Sequence, residues 1–319
     1  MSLARFSAAL PFALFLTCGV CRAQDLAPRA YIITPVHWNA VTLTYSFTDG
    51  SAAFDVAIPI TIAAPTVASV LNTQIFNVFH SLNFFSRSAN ITVTLPYGVG
   101  NFSGKFIDNE RKLSRSGLLD LSVRFSVNLR GGPAMTVEQY QSWKHKTILG
   151  VSLRVVAPTG QYDPTKLINN GSNRWGFKPE FGYSGRWGQW VLDGYAGVWF
   201  YTTNPEYFSH NAFFPGTNTQ SQAPITSVET HLSYDFKKAR RLWVSLDGNF
   251  WYGGRTSLNG VENPATLLTS SRIGGTGSFP LAKHQSLKFS YSDEVYARFG
   301  GKSQNVSAAW QYSWVGRPN

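Results

Sequence analysis

Apolar and polar residues alternate strictly over long stretches of this chain. Between Leu119 and Leu129 every second residue is apolar, and the residues between them include Asp120 and Arg124. Successive side chains of a β-strand point to opposite faces of a sheet, so this segment has one apolar face and one polar face. The alternation recurs at 149–155, 228–236 and 305–314. It predicts an all-β protein.

The composition favours a membrane barrel over a soluble β-sandwich, which would turn its apolar face inward. Only 14% of the 319 residues are charged, against roughly 25% in soluble domains. The longest uncharged apolar segment, Val56 to Ile75, is broken by Pro59 and Pro65, so it does not suit a spanning helix. A membrane protein without spanning helices must close its sheet into a barrel. The predicted fold is therefore a transmembrane antiparallel up-and-down β-barrel.

The alternating segments and their connectors predict about twelve strands. They lie near 40–48, 73–85, 89–100, 117–130, 146–157, 175–185, 190–202, 225–236, 242–252, 270–280, 286–299 and 303–314. Short connectors alternate with long ones at 49–72, 101–116, 158–174, 203–224 and 253–269. Outer-membrane barrels have short periplasmic turns and long external loops, so both termini are expected on the periplasmic side. The connector 131–145 is unusually long for its side, and Thr136 to Trp143 could form a helical turn.

The N-terminus has the pattern of a secretory signal. Arg5 precedes an apolar run from Ala8 to Val20, and small residues around Ala23 suit cleavage. Residues 1–23 are predicted to be a signal peptide and residues 24–319 the barrel. Both cysteines then leave with the signal, which fits export to the outer membrane of a Gram-negative cell.

The net charge is +11, but the basic residues are spread along the chain and gather in short connectors. This distribution argues against nucleic acid as a partner. Outer-membrane lipid and lipopolysaccharide are the expected partners.

The polar face of the predicted barrel supplies candidate lumen residues of both signs. They are Asp120, Arg124, Arg154, Lys178, Glu180, Asp193, Glu229, His231, Asp235, Asp247, Arg272, Lys288, Glu294 and Arg298. Such a set could form a mixed-charge constriction that selects solutes, or the residues could only pair with one another and stiffen the wall. Five aromatic residues share this face: Tyr195, Trp199, Tyr201, Trp243 and Trp251.

Catalysis has little support in the sequence. Glu229, His231 and Ser233 share one strand face, but neighbours on such a face lie roughly 6–7 Å apart, too far for a hydrogen-bonded relay. No paired Cys and His residues suggest a metal site. We therefore expect no enzyme activity and no cofactor.

Several segments resemble the outer-membrane β-barrel family of meta-pathway phenol degradation proteins and transporters. They are 28–31, 87–90, 95–98, 147–150, 157–164, 173–175 and 178–180. The resemblance covers essentially the whole mature chain and implies an outer-membrane barrel that transports hydrophobic or aromatic compounds. The first external loop, 57–70, departs from the family because it lacks the expected acidic residues.

The most specific part of this resemblance is a signature loop after the strand near 146–157. Its marked residues are Pro158, Gly160, Asp163, Asn173 and Arg174. Pro158 ends the strand and Gly160 permits a turn. The loop could fold inward as a lid, or it could be an ordinary external loop held by Arg174 and Asp163.

Taken together, these features predict an outer-membrane channel for small hydrophobic or aromatic solutes. Two alternatives stay open. One is a structural or adhesive barrel whose lumen is closed, and the other is an outer-membrane lipid-modifying enzyme that uses His231.

Overall fold

The computed structural model describes residues 27–53, 66–106, 109–145, 147–237 and 241–316, so the predicted signal peptide lies outside the described residues. The described chain is almost entirely antiparallel sheet. Its strands are β1 (Trp38–Ala53), β2 (Thr66–Phe84), β3 (Arg87–Phe106), β4 (Asn109–Leu118), β5 (Ser122–Arg130), β6 (Ile148–Val156), β7 (Gly176–Trp187), β8 (Trp190–Tyr201), β9 (Gln220–Gln222), β10 (Ile225–Asp235), β11 (Trp243–Gly253), β12 (Thr256–Leu258), β13 (Val261–Asn263), β14 (Leu268–Ala282), β15 (Gln285–Ala297) and β16 (Ser303–Val315).

The main sheet closes on itself. β1 pairs with β16 from Trp38↔Val315 to Gly50↔Ser303, and each other wall strand pairs with its neighbours around the ring. β4 and β5 pair with successive parts of β3 and so share one position in the wall. The result is a closed barrel of twelve strand positions, which confirms the predicted fold. β9, β12 and β13 form a separate small sheet.

The barrel turns its polar face inward and its apolar face outward. On β10, Glu229, His231 and Ser233 are fully buried, whereas Val228 and Leu232 are 42% and 40% exposed. A soluble sandwich would have the opposite arrangement, so that alternative is wrong. Outward apolar residues of this kind suit contact with lipid.

Both termini of the barrel lie at one end, because β1 begins opposite the last residue of β16. We call this the terminal end and the opposite end the loop end. The connector at 131–147 contains the helix α1 (Val137–Ser142), capped by Thr136, as the sequence predicted. Within the described ranges, no helix has the length and apolarity needed to cross a membrane.

Two predicted boundaries near the loop end are wrong. Residues 101–116 are not a loop, because β3 and β4 stay paired as far as Phe106↔Asn109. The predicted strand 117–130 is interrupted at residues 119–121. The positive φ of Gly117 and the hydrogen bond from Leu119 N to Pro96 O mark where the strand breaks.

A bulge in β15 overturns the prediction that Arg298 faces the lumen. Arg272 pairs with Glu294 and Ser271 pairs with Tyr296, so Val295 is an extra residue in its strand. One extra residue shifts the two-residue period, and Val295 and Tyr296 are both exposed. Arg298 then lies just past the strand and is exposed.

The lipid-facing surface can be tested with a charge. Leu246 on β11 is 62% exposed on the outer face. Leu246→Lys should lower the free energy of unfolding by about 2 kcal/mol, because a lysine on the lipid face must leave water. Urea unfolding in lipid vesicles measures the change.

Val261→Lys provides the matched control, since Val261 is 72% exposed in the small sheet outside the wall. Its stability should stay at the wild-type value. Equal effects of the two lysines would contradict the assignment of the lipid-facing surface.

Candidate functional site: an N-terminal segment inside the barrel

The segment before β1 lies inside the lumen at its terminal end. Tyr31 and Ile33 are buried, and the segment continues into β1 at Trp38. Backbone hydrogen bonds tie its last residues to the 131–147 connector and to the wall: Val36 N donates to Met135 O at 2.8 Å, and His37 N donates to Ser81 O of β2 at 3.1 Å. The lumen is therefore filled partly by chain that is not part of the wall.

Tyr31 occupies a slot formed by four neighbouring strands. Its hydroxyl donates to Glu180 Oε1 at 3.0 Å and lies 3.0 Å from Ser152 Oγ. The Arg124 guanidinium lies 4.9 Å from the ring centroid, and the Tyr195 ring packs at 5.3 Å. The whole phenol ring is thus contacted by wall residues.

Two glycines make room for this ring. A Cβ atom on Gly182 would approach Tyr31 Cε2 to 2.1 Å, and one on Gly150 would approach Cδ1 to 2.4 Å. Both glycines occupy inward positions of their strands, where any larger side chain would fill the slot. Glycine here serves close approach rather than backbone freedom.

Arg29 fixes the start of the segment through both its backbone and its side chain. Its N–H donates to Asp193 Oδ2 at 3.0 Å, and its guanidinium pairs with Asp235 at 2.7 Å. The same guanidinium lies 4.4 Å from the Trp243 ring centroid. Arg186 shares the Asp235 carboxylate. Arg29 adopts a left-handed conformation with φ of 70°.

Apolar contacts join the segment to the connector that contains α1. Ile33 packs with Met135 and Ile148, and Tyr140 and Trp143 cover this cluster. The Trp143 ring also stacks on His145 at 5.6 Å. The connector at the terminal end therefore anchors the lumen segment. This role accounts for the unusual length of the connector.

A charge network surrounds the slot. Lys178 Nζ lies 2.9 Å from Glu180 Oε2 and 2.8 Å from Glu229 Oε1. Arg124 Nη2 lies 3.8 Å from Glu180, and all four side chains are buried. Buried charges of opposite sign need such pairing, because isolated ones are costly to desolvate.

Most of the remaining predicted lumen residues fall into two groups. Buried in the lumen are Asp193, His231, Asp247, Arg272 and Glu294, while Arg154, Asp235 and Lys288 are partly exposed. Arg272 Nη2 lies 3.7 Å from Glu294 Oε2. Asp120 lies in the break between β4 and β5 and bonds to the signature loop, and Arg298 is exposed.

His231 is bonded to a carboxylate but not to a nucleophile. Its Nδ1 lies 2.8 Å from Asp247 Oδ1, which also accepts from Ser245 Oγ at 2.8 Å. Within the described part of the chain, neither His231 Nε2 nor Ser233 Oγ has a hydrogen-bond partner, so the two are not bonded to each other. Glu229 pairs with Lys178 instead. The nominal Glu–His–Ser relay is therefore not assembled.

Aromatic side chains line the lumen toward the loop end. Trp251 packs with Ile225 and Leu268, and Trp199 and Tyr201 cover the cluster. The Trp199 and Tyr201 rings stack with an interplanar angle of 5°. This aromatic region adjoins the charge network, because Lys178 Nζ lies 5.7 Å from the Trp199 ring centroid.

The signature loop is held by Asp120 and by the next loop. Asp120 accepts from Gly160 N and Ser172 N, both at 2.9 Å. Asn173 donates to Asn204 Oδ1 at 3.0 Å, and Arg174 donates to Gln222 Oε1 at 2.6 Å. Pro158 follows the end of β6. Arg174 therefore holds the loop through a bond to a neighbouring segment.

Asp163 acts within its own loop. It pairs with Lys166 at 2.6 Å and accepts from Thr165 Oγ1 at 2.6 Å. The hydrogen bonds from Lys166 and Thr165 lower the pKa of Asp163 to about 2. The carboxylate is therefore charged, and holds this turn, at any physiological pH.

An apolar hollow of about 470 Å³ lies in the wall beside the network. Val151, Pro179, Phe181 and Val198 contribute to its lining. Between the pairs Phe177↔Phe200 and Glu180↔Gly197, residues 178 and 179 of β7 are not paired with β8. Pro179 has no N–H to donate to a ladder at this point.

The lumen segment is the main feature that sequence reasoning missed. Residues 27–37 carry no two-residue period, so strand patterns could not locate them. Two signals were available: Gly150 and Gly182 interrupt polar faces at matching levels, and the family resemblance includes Pro28 to Tyr31. A glycine in a strand often marks a close backbone approach.

The Arg29 anchor can be tested by substitution. Arg29→Ala removes the Asp235 pair and the contact with Trp243, and should weaken the anchor by roughly 1–3 kcal/mol. A more weakly held segment should leave the lumen more often, so single-channel conductance in planar bilayers should rise. Arg255→Ala removes an exposed pair with Glu262 outside the lumen and should leave conductance unchanged. If the conductance of Arg29→Ala equals that of the wild type, Arg29 does not anchor the lumen segment.

His145 gives the connector a pH dependence. Burial, with the nearby Arg186 and Arg29 charges, lowers the pKa of His145 to about 4, below the ordinary 6.5. When the connector is released, His145 takes up a proton at pH values where it stays neutral in the packed connector. Packing is therefore strongest above pH 6.5 and weakens as the pH falls from 6.5 toward 4. An NMR titration of His145 tests this, and an apparent pKa near 6.5 would refute it.

Comparisons with known proteins agree with this architecture. A crystal structure of an outer membrane channel from Pseudomonas putida F1 is similar at a TM-score of 0.73 and 16% identity, covering 91% of this chain and 100% of that one. The β domain of the Bordetella autotransporter BrkA is similar at a TM-score of 0.52 and 12% identity, covering 87% and 100%. At identities this low, the similarity establishes only the fold, which is that of an outer-membrane barrel.

No curated protein matches the sequence. A family model does match, over residues 59–310, and its description is "Putative MetA-pathway of phenol degradation". The match spans more than half of the chain, and it includes the wall strands that build the Tyr31 slot. This chain belongs to that family.

Proposed function

We propose that this protein is an outer-membrane channel that passes small hydrophobic or aromatic solutes by passive diffusion. The observation that carries the proposal is the occupant of the lumen. The N-terminal segment fills the space beside β5 to β8 through side-chain bonds and packing, and it contributes no strand to the wall. Such a segment can move without breaking the closed ladder.

The charges in the lumen favour neutral solutes. Lys178 is balanced by Glu180 and Glu229, and Arg272 by Glu294. An ionic solute would have to compete with partners that are already in contact, and would lose its water as well. An uncharged aromatic solute avoids both costs and can pack on the rings of Trp199 and Tyr201. This arrangement supports the proposal of a mixed-charge constriction.

The proposal includes the topology expected for exported barrels. The terminal end would face the periplasm after removal of residues 1–23, and the long loops would face outside. The apolar outer surface would contact membrane lipid, and lipopolysaccharide would surround the loop end.

A structural barrel with a closed lumen is the second candidate. The burial of Tyr31 and its two hydroxyl contacts favour this alternative, because they show a well-packed lumen segment. The two functions differ in transport. A channel conducts ions and admits solutes, whereas a closed barrel does neither but alters envelope integrity when deleted.

Liposome uptake distinguishes the two. Liposomes that contain the protein should take up radiolabelled phenol faster than empty liposomes. Removal of residues 24–34 should accelerate uptake of both phenol and a small sugar, because the segment blocks the lumen without supporting the wall.

Heat-modifiable migration on a gel verifies that each variant is a folded barrel. Uptake equal to that of empty liposomes, together with an absence of single-channel conductance, would contradict the channel and support the closed barrel.

A further inference from the structure

The side chain of Tyr31 is itself a phenol. Its ring is bound in the lumen by residues that belong entirely to the wall, on β5, β6, β7 and β8. Only the residue that fills the slot comes from the N-terminal segment. We infer that this slot is a binding site for para-substituted phenols, and that Tyr31 is its resident occupant.

The hydroxyl end of the slot recognises a phenol O–H. Glu180 Oε1 accepts from the Tyr31 hydroxyl, and Ser152 Oγ lies at the same 3.0 Å distance. The Glu180 carboxylate is held in place by Lys178 on its other oxygen. A carboxylate that accepts from an O–H forms one of the stronger hydrogen bonds in proteins. The site therefore distinguishes a phenol from an aromatic hydrocarbon.

The ring end of the slot recognises a flat aromatic system. Gly150 and Gly182 leave a space without side chains where the ring lies. The Arg124 guanidinium lies over one face, and Tyr195 packs at a tilt of 50°. A cation over a ring face favours an electron-rich ring such as a phenol. The para carbon of the bound ring joins the rest of the N-terminal segment, so the site accepts a para substituent.

A phenolic solute and Tyr31 therefore compete for one slot. While Tyr31 is bound, Ala30 N donates to the Tyr195 hydroxyl and Asn128 Nδ2 donates to Tyr31 O, which hold the backbone nearby. A solute that takes the slot removes the central contact of the lumen segment. This inference rests on the proposed channel, since it names a class of solute that the lumen binds.

The test vacates the slot and refills it with a probe. Tyr31→Ala removes the hydroxyphenyl ring, and 4-methylphenol supplies that ring with a para methyl group. Calorimetric titration of the full-length variant in detergent should show binding of 4-methylphenol at least about tenfold tighter than toluene, which lacks the hydroxyl. Tyr31→Phe, which keeps the slot filled, should bind the probe at least about tenfold more weakly.

A second substitution shows where the probe binds. In the Tyr31→Ala background, Gly182→Ala places a methyl group where the ring would lie, and 4-methylphenol binding should be lost. Heat-modifiable migration checks that both variants are folded. Binding by the double variant equal to that of Tyr31→Ala, or no binding by folded Tyr31→Ala, would overturn the inference.

Uptake measurements separate this result from the proposed function. Phenol uptake by the wild-type protein without binding to the vacated slot would overturn only the phenol site. Binding to the slot with no uptake and no conductance would support the site and contradict the channel.

Discussion

Closure of the backbone ladder is the constraint on which the rest of the structure depends. Hydrocarbon offers no partner for a peptide N–H or C=O, so each wall strand needs a neighbour on both sides. The pairing of β1 with β16 meets this need at the last junction. Closure also fixes which side chains face inward, since a ring of strands has only two faces. The polar lumen and the apolar exterior both follow from it.

A closed wall of twelve strands creates an interior that its own side chains do not fill. The chain uses the space with residues 27–37, whose anchors come from different levels of the lumen. Arg29 is held by Asp193 and Asp235, Tyr31 by Glu180, and Ile33 by Met135. Glu180 and Asp235 thus each have two partners at once: an opposite charge of the wall and a group of the segment. The mixed composition of the lumen serves both.

The fold could be predicted from sequence because its signal is local and periodic. Each strand shows its two faces within about ten residues, and the alternation at Leu119 to Leu129 needs no knowledge of the rest of the chain. The errors occur where one residue breaks the period. The bulge at Val295 moves Arg298 out of the lumen, and the break at 119–121 places Asp120 in contact with the signature loop. Neither change alters hydrophobicity, so alternation alone could not show it.

The candidate site was harder to predict because it depends on contacts between distant segments. The alternation of polar and apolar residues placed Glu180, Glu229 and Lys178 on the inward face, and they are buried there. This alternation could not show that Glu180 would accept a hydrogen bond from a tyrosine about 150 positions earlier in the chain. The two glycines opposite Tyr31 are explained only once its ring is located, since in a strand pattern they read as gaps in a polar face. A sequence search for such sites would look for paired inward glycines on adjacent strands, because an occupant must come from elsewhere to fill them.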